Sequence, residues 1–394
     1  MKSKSGLTLI LALVISAIAV AAAAAHTDGP ARTAAPAAPA ASTAAAAKCG
    51  KTMYIGVAAP ITGAASSIGV QQLHWAQFAV SQWNKSGAKP KFKIVQGDTQ
   101  LPNVAEAIKV AKTLASDKRV WAVVGPAGSQ EVQDSFASYK AGGLAFVSGS
   151  ASRTTLTDGS RKGYFFRVVP NDSVQGPTVG KYIVNTLKAK NVYIIDDQET
   201  YSQGLADTVE NYLKAHGITP GRDSISQQAS DFSSQIAKIP SNTQIVYIPW
   251  QLSAQAQAFG QQLKGAGKSA KLFGSDGLFD PSTFKITGSY DSFFPVNTQS
   301  AQVKAYEKAH GGNGEFFGAP SGAAAGVAML AVQKACQDGK ITRSEVRKDV
   351  ATTTIPKAQS VLGVAVHFTA NGDLKGGAFG VYQIQSNGSY KRIG

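Results

Sequence analysis

Short runs of β-forming residues alternate with amphipathic helical patterns along most of this chain, and the series restarts once. Residues 53–57, 92–95, 120–124 and 144–147 read as strands, with helical patterns over 69–84, 103–116 and 129–139 between or after them. In the second helix Val104, Ile108, Ala111 and Ala115 fall on one face. After Pro170 the alternation begins again, with strands predicted at 192–195, 245–248 and 271–273 and helices at 174–187, 205–215 and along Leu252, Ala256, Phe259 and Leu263. Further helices follow at 302–309 and 319–336, and a β-type tail closes the chain at 378–384. Strands that are apolar throughout, set between helices, belong to a parallel sheet covered on both faces. The sequence therefore predicts an α/β protein of two doubly wound parallel-sheet lobes. Ligands of such sheets sit at the carboxyl ends of the strands. That rule selects Ser129, Ser148 to Ser152, Asp196 to Tyr201, Trp250, Gln251 and Asp276 as candidates.

The segment before the first strand has a different composition. Lys2 and Lys4 precede an apolar run over 7–20, and Ala23 and Ala25 offer a cleavage site before His26, so residues 1–25 read as a secretory signal, with an uncleaved anchor as the alternative. Residues 26–50 are dominated by Ala, Pro and Thr and read as a disordered linker, because too few large apolar side chains are present to form a core. Export favours a disulfide between Cys49 and Cys336, although spacing alone does not establish contact. Lys48 directly before Cys49, far beyond the apolar run, argues against a lipid-modified cysteine.

Other chemistries find little support. The 39 Lys and Arg against 24 Asp and Glu are scattered singly, with no aromatic-studded basic stripe, so nucleic acid is not an expected partner. Two distant cysteines and five dispersed histidines supply no zinc ligand set, and no cofactor is implied. Gly265-Ala266-Gly267-Lys268-Ser269 resembles the end of a phosphate-binding loop, but Gln262 stands where that motif needs glycine. Asp196, Asp197 and Glu199 read as a solvated turn rather than a metal site, and no nucleophile elbow is present. The chain is expected not to be an enzyme. By contrast, Ser129 follows Val124-Gly125-Pro126-Ala127-Gly128 at a helix start, where it either caps the helix or, with the free N–H groups there, turns its hydroxyl to an anion. Asp276 follows a strand of the second series, where spacing alone fits a turn aspartate as well as a carboxylate offered to an ammonium.

Several short motifs, in order, carry a resemblance. They include Ile55-Gly56-Val57, Gly143-Leu144-Ala145-Phe146-Val147-Ser148, Tyr164-Phe165-Phe166-Arg167, Gln175-Gly176-Pro177, Gly274-Ser275-Asp276-Gly277 and Gly372-Asp373-Leu374-Lys375-Gly376. From about Thr52 to its end the chain resembles the leucine/isoleucine/valine-binding protein family, the type I periplasmic solute receptors of branched-chain amino-acid ABC transporters. The resemblance implies a Venus-flytrap fold, with crossings between lobes near Pro170, Val296 and His367. Lobe 1 would hold residues 51–169 plus 297–366, and lobe 2 residues 170–296 plus 367–394. It also implies a monomer that binds a small zwitterion, an amino acid, outside the cytoplasm and delivers it to permease and ATPase subunits. In the implied site, Ser129 binds the ligand carboxylate. The Ser152 N–H reaches the carboxylate and its hydroxyl the ammonium, which the Ser150 carbonyl also accepts. Asp276 pairs with the ammonium and Tyr201 covers the ligand, with Ala151, Gln251 and Gly277 beside them. Ile68, Trp250 and Gln251 depart from the aromatic positions of the family, so the side-chain pocket differs. Alternatives are a receptor of this fold for an aromatic acid or amide, a sensory module, and a hydrolase.

Overall fold

The computed structural model describes residues 46–310 and 316–394; the signal segment 1–25 and residues 26–45 of the linker lie outside the described residues. Order begins earlier than the composition indicates. Strand β1 (Ala47–Lys48), within the span read as linker, pairs antiparallel with Lys340–Ile341, and Cys49 is joined to Cys336 by a disulfide.

The first sheet is built from β2 (Thr52–Ala59), α1 (Ser66–Lys85), β3 (Lys91–Asp98), α2 (Val104–Ser116), β4 (Val120–Val124), α3 (Ser129–Gly142), β5 (Ala145–Ser148) and β6 (Phe165–Arg167). Its strands run parallel in the order β3-β2-β4-β5-β6. The central strands β4 and β5 are buried nearly throughout, which their unbroken apolar sequences require.

The second sheet follows α4 (Asp172–Lys181). It draws on β7 (Val192–Asp196), α5 (Thr200–Ala215), β8 (Gly221–Ser224), α6 (Ser233–Lys238), β9 (Ile245–Tyr247), α7 (Ser253–Gly265), β10 (Lys271–Phe273) and β11 (Tyr290–Phe293). The chain then returns to the first sheet with α8 (Ala301–His310), α9 (Gly318–Ala335), β12 (Lys340–Ile341) and α10 (Arg343–Thr352). Helix α9 packs on α1, β4 and β5, which is why its sequence is small and apolar all round. Finally β13 (Gly380–Ile384) and β14 (Tyr390–Arg392) add antiparallel to the second sheet, giving the order β14-β13-β11-β10-β9-β7-β8.

The chain thus crosses between the two sheets three times: after β6, after β11 and after α10. Arg167 ties two of these crossings together. Its fully buried guanidinium pairs with Asp373 at 2.7 Å, and Asn171 Nδ2 donates to the same carboxylate.

Candidate functional site

The carboxyl ends of the two sheets face each other, and the loops that leave them are organised by hydrogen bonds local to each. After β5, the Ser148 hydroxyl donates to the Pro126 carbonyl and accepts the N–H groups of Ser150 and Ala151. The Ser150 hydroxyl donates to the Ala127 carbonyl and accepts from Gln72. Arg167 Nη1 holds the carbonyls of Ala151 and Arg153 from beneath. A serine-rich loop that sequence alone leaves free is therefore a fixed platform.

Next to it, Ser129 begins α3. Gly128, just before it, donates its N–H to the Glu131 carboxylate at 2.7 Å. The N–H groups of the first helical turn have no partner within the helix and bring the positive end of the helix dipole to this point. The Ser129 hydroxyl accepts the Arg153 N–H at 3.2 Å, which leaves its own proton for an outside acceptor.

Across the gap, Asp276 opens a single 3-10 turn after β10. Tyr201, on the first turn of α5, donates to Asp276 Oδ1 at 2.6 Å, and its oxygen lies 3.4 Å from the Gly277 N–H. Gly277 is required by space, since a Cβ there would lie 2.4 Å from the Trp250 carbonyl oxygen. Burial pushes the Asp276 carboxyl up to about 6, and the hydrogen bonds from Tyr201 and Gln175 restrain it. Burial, with Asp276 beside it, drives the Tyr201 phenol well above its ordinary range, so it remains a donor.

Ser129, Ser150, Tyr201, Gln251, Asp276 and Gly277 line one gap, together with the apolar Ile68, Leu101, Ala127 and Phe317. In this arrangement the gap is about 10 Å³, room for about one water molecule. Two contacts bridge it: Gln130 Nε2 donates to Gln251 Oε1 at 2.9 Å, and the Arg153 guanidinium donates to the Thr200 carbonyl.

Ala151 and Ser152 lie behind this lining. Ala151 is consumed by Ser148 and Arg167, and the Ser152 carbonyl accepts the Asp172 N–H at 2.9 Å. The Ser152 hydroxyl is buried without a well-formed hydrogen bond. Trp250, a strand-end candidate, belongs to the core: its indole donates to the Ile195 carbonyl and stacks with Phe232. The turn expected to be solvated is buried at Asp196 and Asp197: Asp196 pairs with Arg222, the Asp197 N–H donates to the Ser202 hydroxyl and its carboxylate accepts from Gln227; no cluster of three or more His, Cys, Asp or Glu able to hold a metal ion occurs among the described residues. Gly265 ends α7, and Gly267 follows at φ +74°, a helix terminus rather than a phosphate loop.

Sequence reasoning missed Gln130, Arg167 and Asp172. Gln130 sits one residue past a strand-end candidate. Arg167 ends β6, a strand too short to be predicted from the sequence, and Asp172 lies just beyond it at the first crossing, so the strand-end rule does not reach them.

A family model described as periplasmic binding protein matches residues 52–389. The chain belongs to the periplasmic binding protein family. It is accordingly a solute-binding protein rather than an enzyme, and its place is extracytoplasmic. It is 29% identical over 360 residues to a Leu/Ile/Val-binding protein of Citrobacter freundii, covering 86% of this chain and 92% of that one. An amino acid binding protein of Pseudomonas aeruginosa is 32% identical over 228 residues, a match that spans 57% of this chain and only 60% of the relative. The crystal structure of a leucine binding protein from Thermotoga maritima superposes with a TM-score of 0.78 at 20% identity, over 87% of this chain and 98% of that one. That likeness establishes the type I fold with its two parallel-sheet lobes. No helix among the described residues is long and apolar enough to cross a membrane.

Proposed function

We propose that this protein captures an amino acid, branched-chain or related, by closing its two lobes on it, and hands it to the permease and ATPase of an ABC transporter. The observation that carries the reading is the opposition across one gap of an anion-accepting helix start at Ser129 and a carboxylate at Asp276. An α-amino acid presents a carboxylate to the one side and an ammonium to the other, and the apolar wall of Ile68, Leu101, Ala127 and Phe317 suits a hydrocarbon side chain. The names of the relatives agree with this class of solute. Because the gap in its present arrangement admits little more than water, the solute enters while the lobes stand apart and is enclosed afterwards.

Charge-assisted hydrogen bonds in a dry site are the strong kind. Ser129→Ala and Asp276→Ala should each weaken binding by about 1.5–3 kcal/mol, the scale for hydrogen bonds to charged groups. Titration calorimetry against the twenty amino acids, with mass spectrometry of any solute that co-purifies, checks both the class and the residues. Unchanged affinity in both variants would remove this site.

A further inference from the structure

Behind the lining of the gap lies a second buried carboxylate. Asp172, the first residue of α4, is 1% exposed, and neither of its oxygens has a well-formed hydrogen bond. Its N–H donates to the Ser152 carbonyl at 2.9 Å, which fixes it against the platform after β5. The Ser152 hydroxyl is turned towards it, and the Tyr247 hydroxyl, fully buried and also unpartnered, faces the same cluster. Asp172 is close enough to Asp276 for their charges to oppose each other.

The groups that face this pair are few. Arg167 and Arg153 lie on the side of Asp172, but Arg167 is already paired with Asp373, and Arg153 donates to the Thr200 carbonyl. Asp291 lies on the β11 side of Asp276, buried without a well-formed hydrogen bond, and burial with Asp276 nearby drives its carboxyl well above the usual carboxylate range. Tyr201 and Tyr247 are neutral donors. Two buried carboxyls whose charges oppose each other hold on to a proton up to about neutral pH, and a cation that joins them takes its place.

We infer that Asp172 is the second acceptor for the ammonium group of the solute, and that the ammonium replaces a proton held between Asp172 and Asp276. This rests on the amino-acid reading above. Without solute, burial holds Asp172 up at about 7 and Asp276 at about 6, so the pair retains about one proton near pH 6.5. A bound ammonium favours both carboxylates, and the proton leaves to solvent. Binding therefore tightens as pH rises from about 5.5 to about 8, where the pair is already ionised and no proton remains to be displaced.

The test is calorimetry of the wild-type protein with L-leucine, or with whichever of the twenty amino acids binds most tightly. It is run near pH 6.5 and pH 8.5 in two buffers of different ionisation enthalpy. About one proton should be released per solute at the lower pH, and close to none at the higher. Asp172→Asn, which keeps the shape of the side chain, should cut the release to less than about half and weaken binding near pH 8 by about tenfold. A merely structural Asp172 would not move the proton count. Binding by the wild type with no proton release, or an Asp172→Asn variant with the same affinity and the same release, overturns this inference and leaves the amino-acid reading standing. The wild-type measurement stands even where the variant folds poorly. Failure of all twenty amino acids to bind overturns the amino-acid reading and this inference with it.

Discussion

A single phenol sets how Asp276 behaves. The Tyr201 hydroxyl donates to it at 2.6 Å, and that bond opposes the upward drive of burial. Tyr201→Phe keeps the ring and removes the donor. The Asp276 carboxyl should then sit above its present value of about 6, so that near neutral pH more of it is protonated and less is able to pair with an ammonium. The sign is fixed: affinity near pH 6.5 falls by more than affinity near pH 8.5, and the pH at which binding is half-maximal moves up. Calorimetry across that range checks it, and an equal loss at both pH values would show that Tyr201 acts only by contact. The strand-end rule selects Tyr201, and the family resemblance implies that it covers the solute. Its bond to Asp276 was not legible, because residues 75 apart meet only once α5 and the loop after β10 share a sheet edge.

Elements were legible where their burial was uniform. Val120–Val124 and Lys271–Phe273 stand where the apolar runs put them, and α9 and β5 lie within a residue or two. Those missed break the pattern for a physical reason. Strand β8 (Gly-Arg-Asp-Ser) is at the sheet edge and only half buried, and β11 carries Asp291 and Ser292 into the interior. Helix α10 is polar on most of its surface, and its start is marked instead by the Thr342–Glu345 capping box. Strand β1 has almost no sequence signature of its own; its partner β12 and the Cys49–Cys336 bridge hold it. That bridge closes a separation of 287 residues, and a long closed loop restricts the unfolded chain strongly. Replacing both cysteines by serine should cost about 2–4 kcal/mol of stability in urea unfolding. Affinity should not change, because Cys49 precedes β2 and so lies at the amino ends of the strands, opposite the gap. A stability unchanged within error would mean that β12 and the core hold β1 without the bridge.

At the scale of the whole molecule, the two lobes are held in contact across the site by few polar groups, and these are the groups that set how long a solute stays. Gln130 on α3 reaches Gln251 after β9, both nearly fully buried. Arg153 reaches the Thr200 carbonyl at the start of α5, and Gly204 one turn on is what admits it: a Cβ there would lie 2.8 Å from Arg153 Nη1. Neither bridge exists once the lobes part, so neither contributes to the encounter with solute. Gln130→Ala should therefore raise the dissociation rate by about fivefold, the equivalent of one hydrogen bond near 1 kcal/mol, and leave the association rate within about twofold. Gly204→Val acts on shape instead. It forces the Arg153 guanidinium off α5, so the protein saturated with solute should keep a larger radius of gyration in X-ray scattering than the saturated wild type, while the solute-free forms match. Stopped-flow kinetics and scattering read these two effects separately. If Gln130→Ala slowed association instead, the glutamine pair would belong to the entry of the solute, and closure would have to be held by the solute alone.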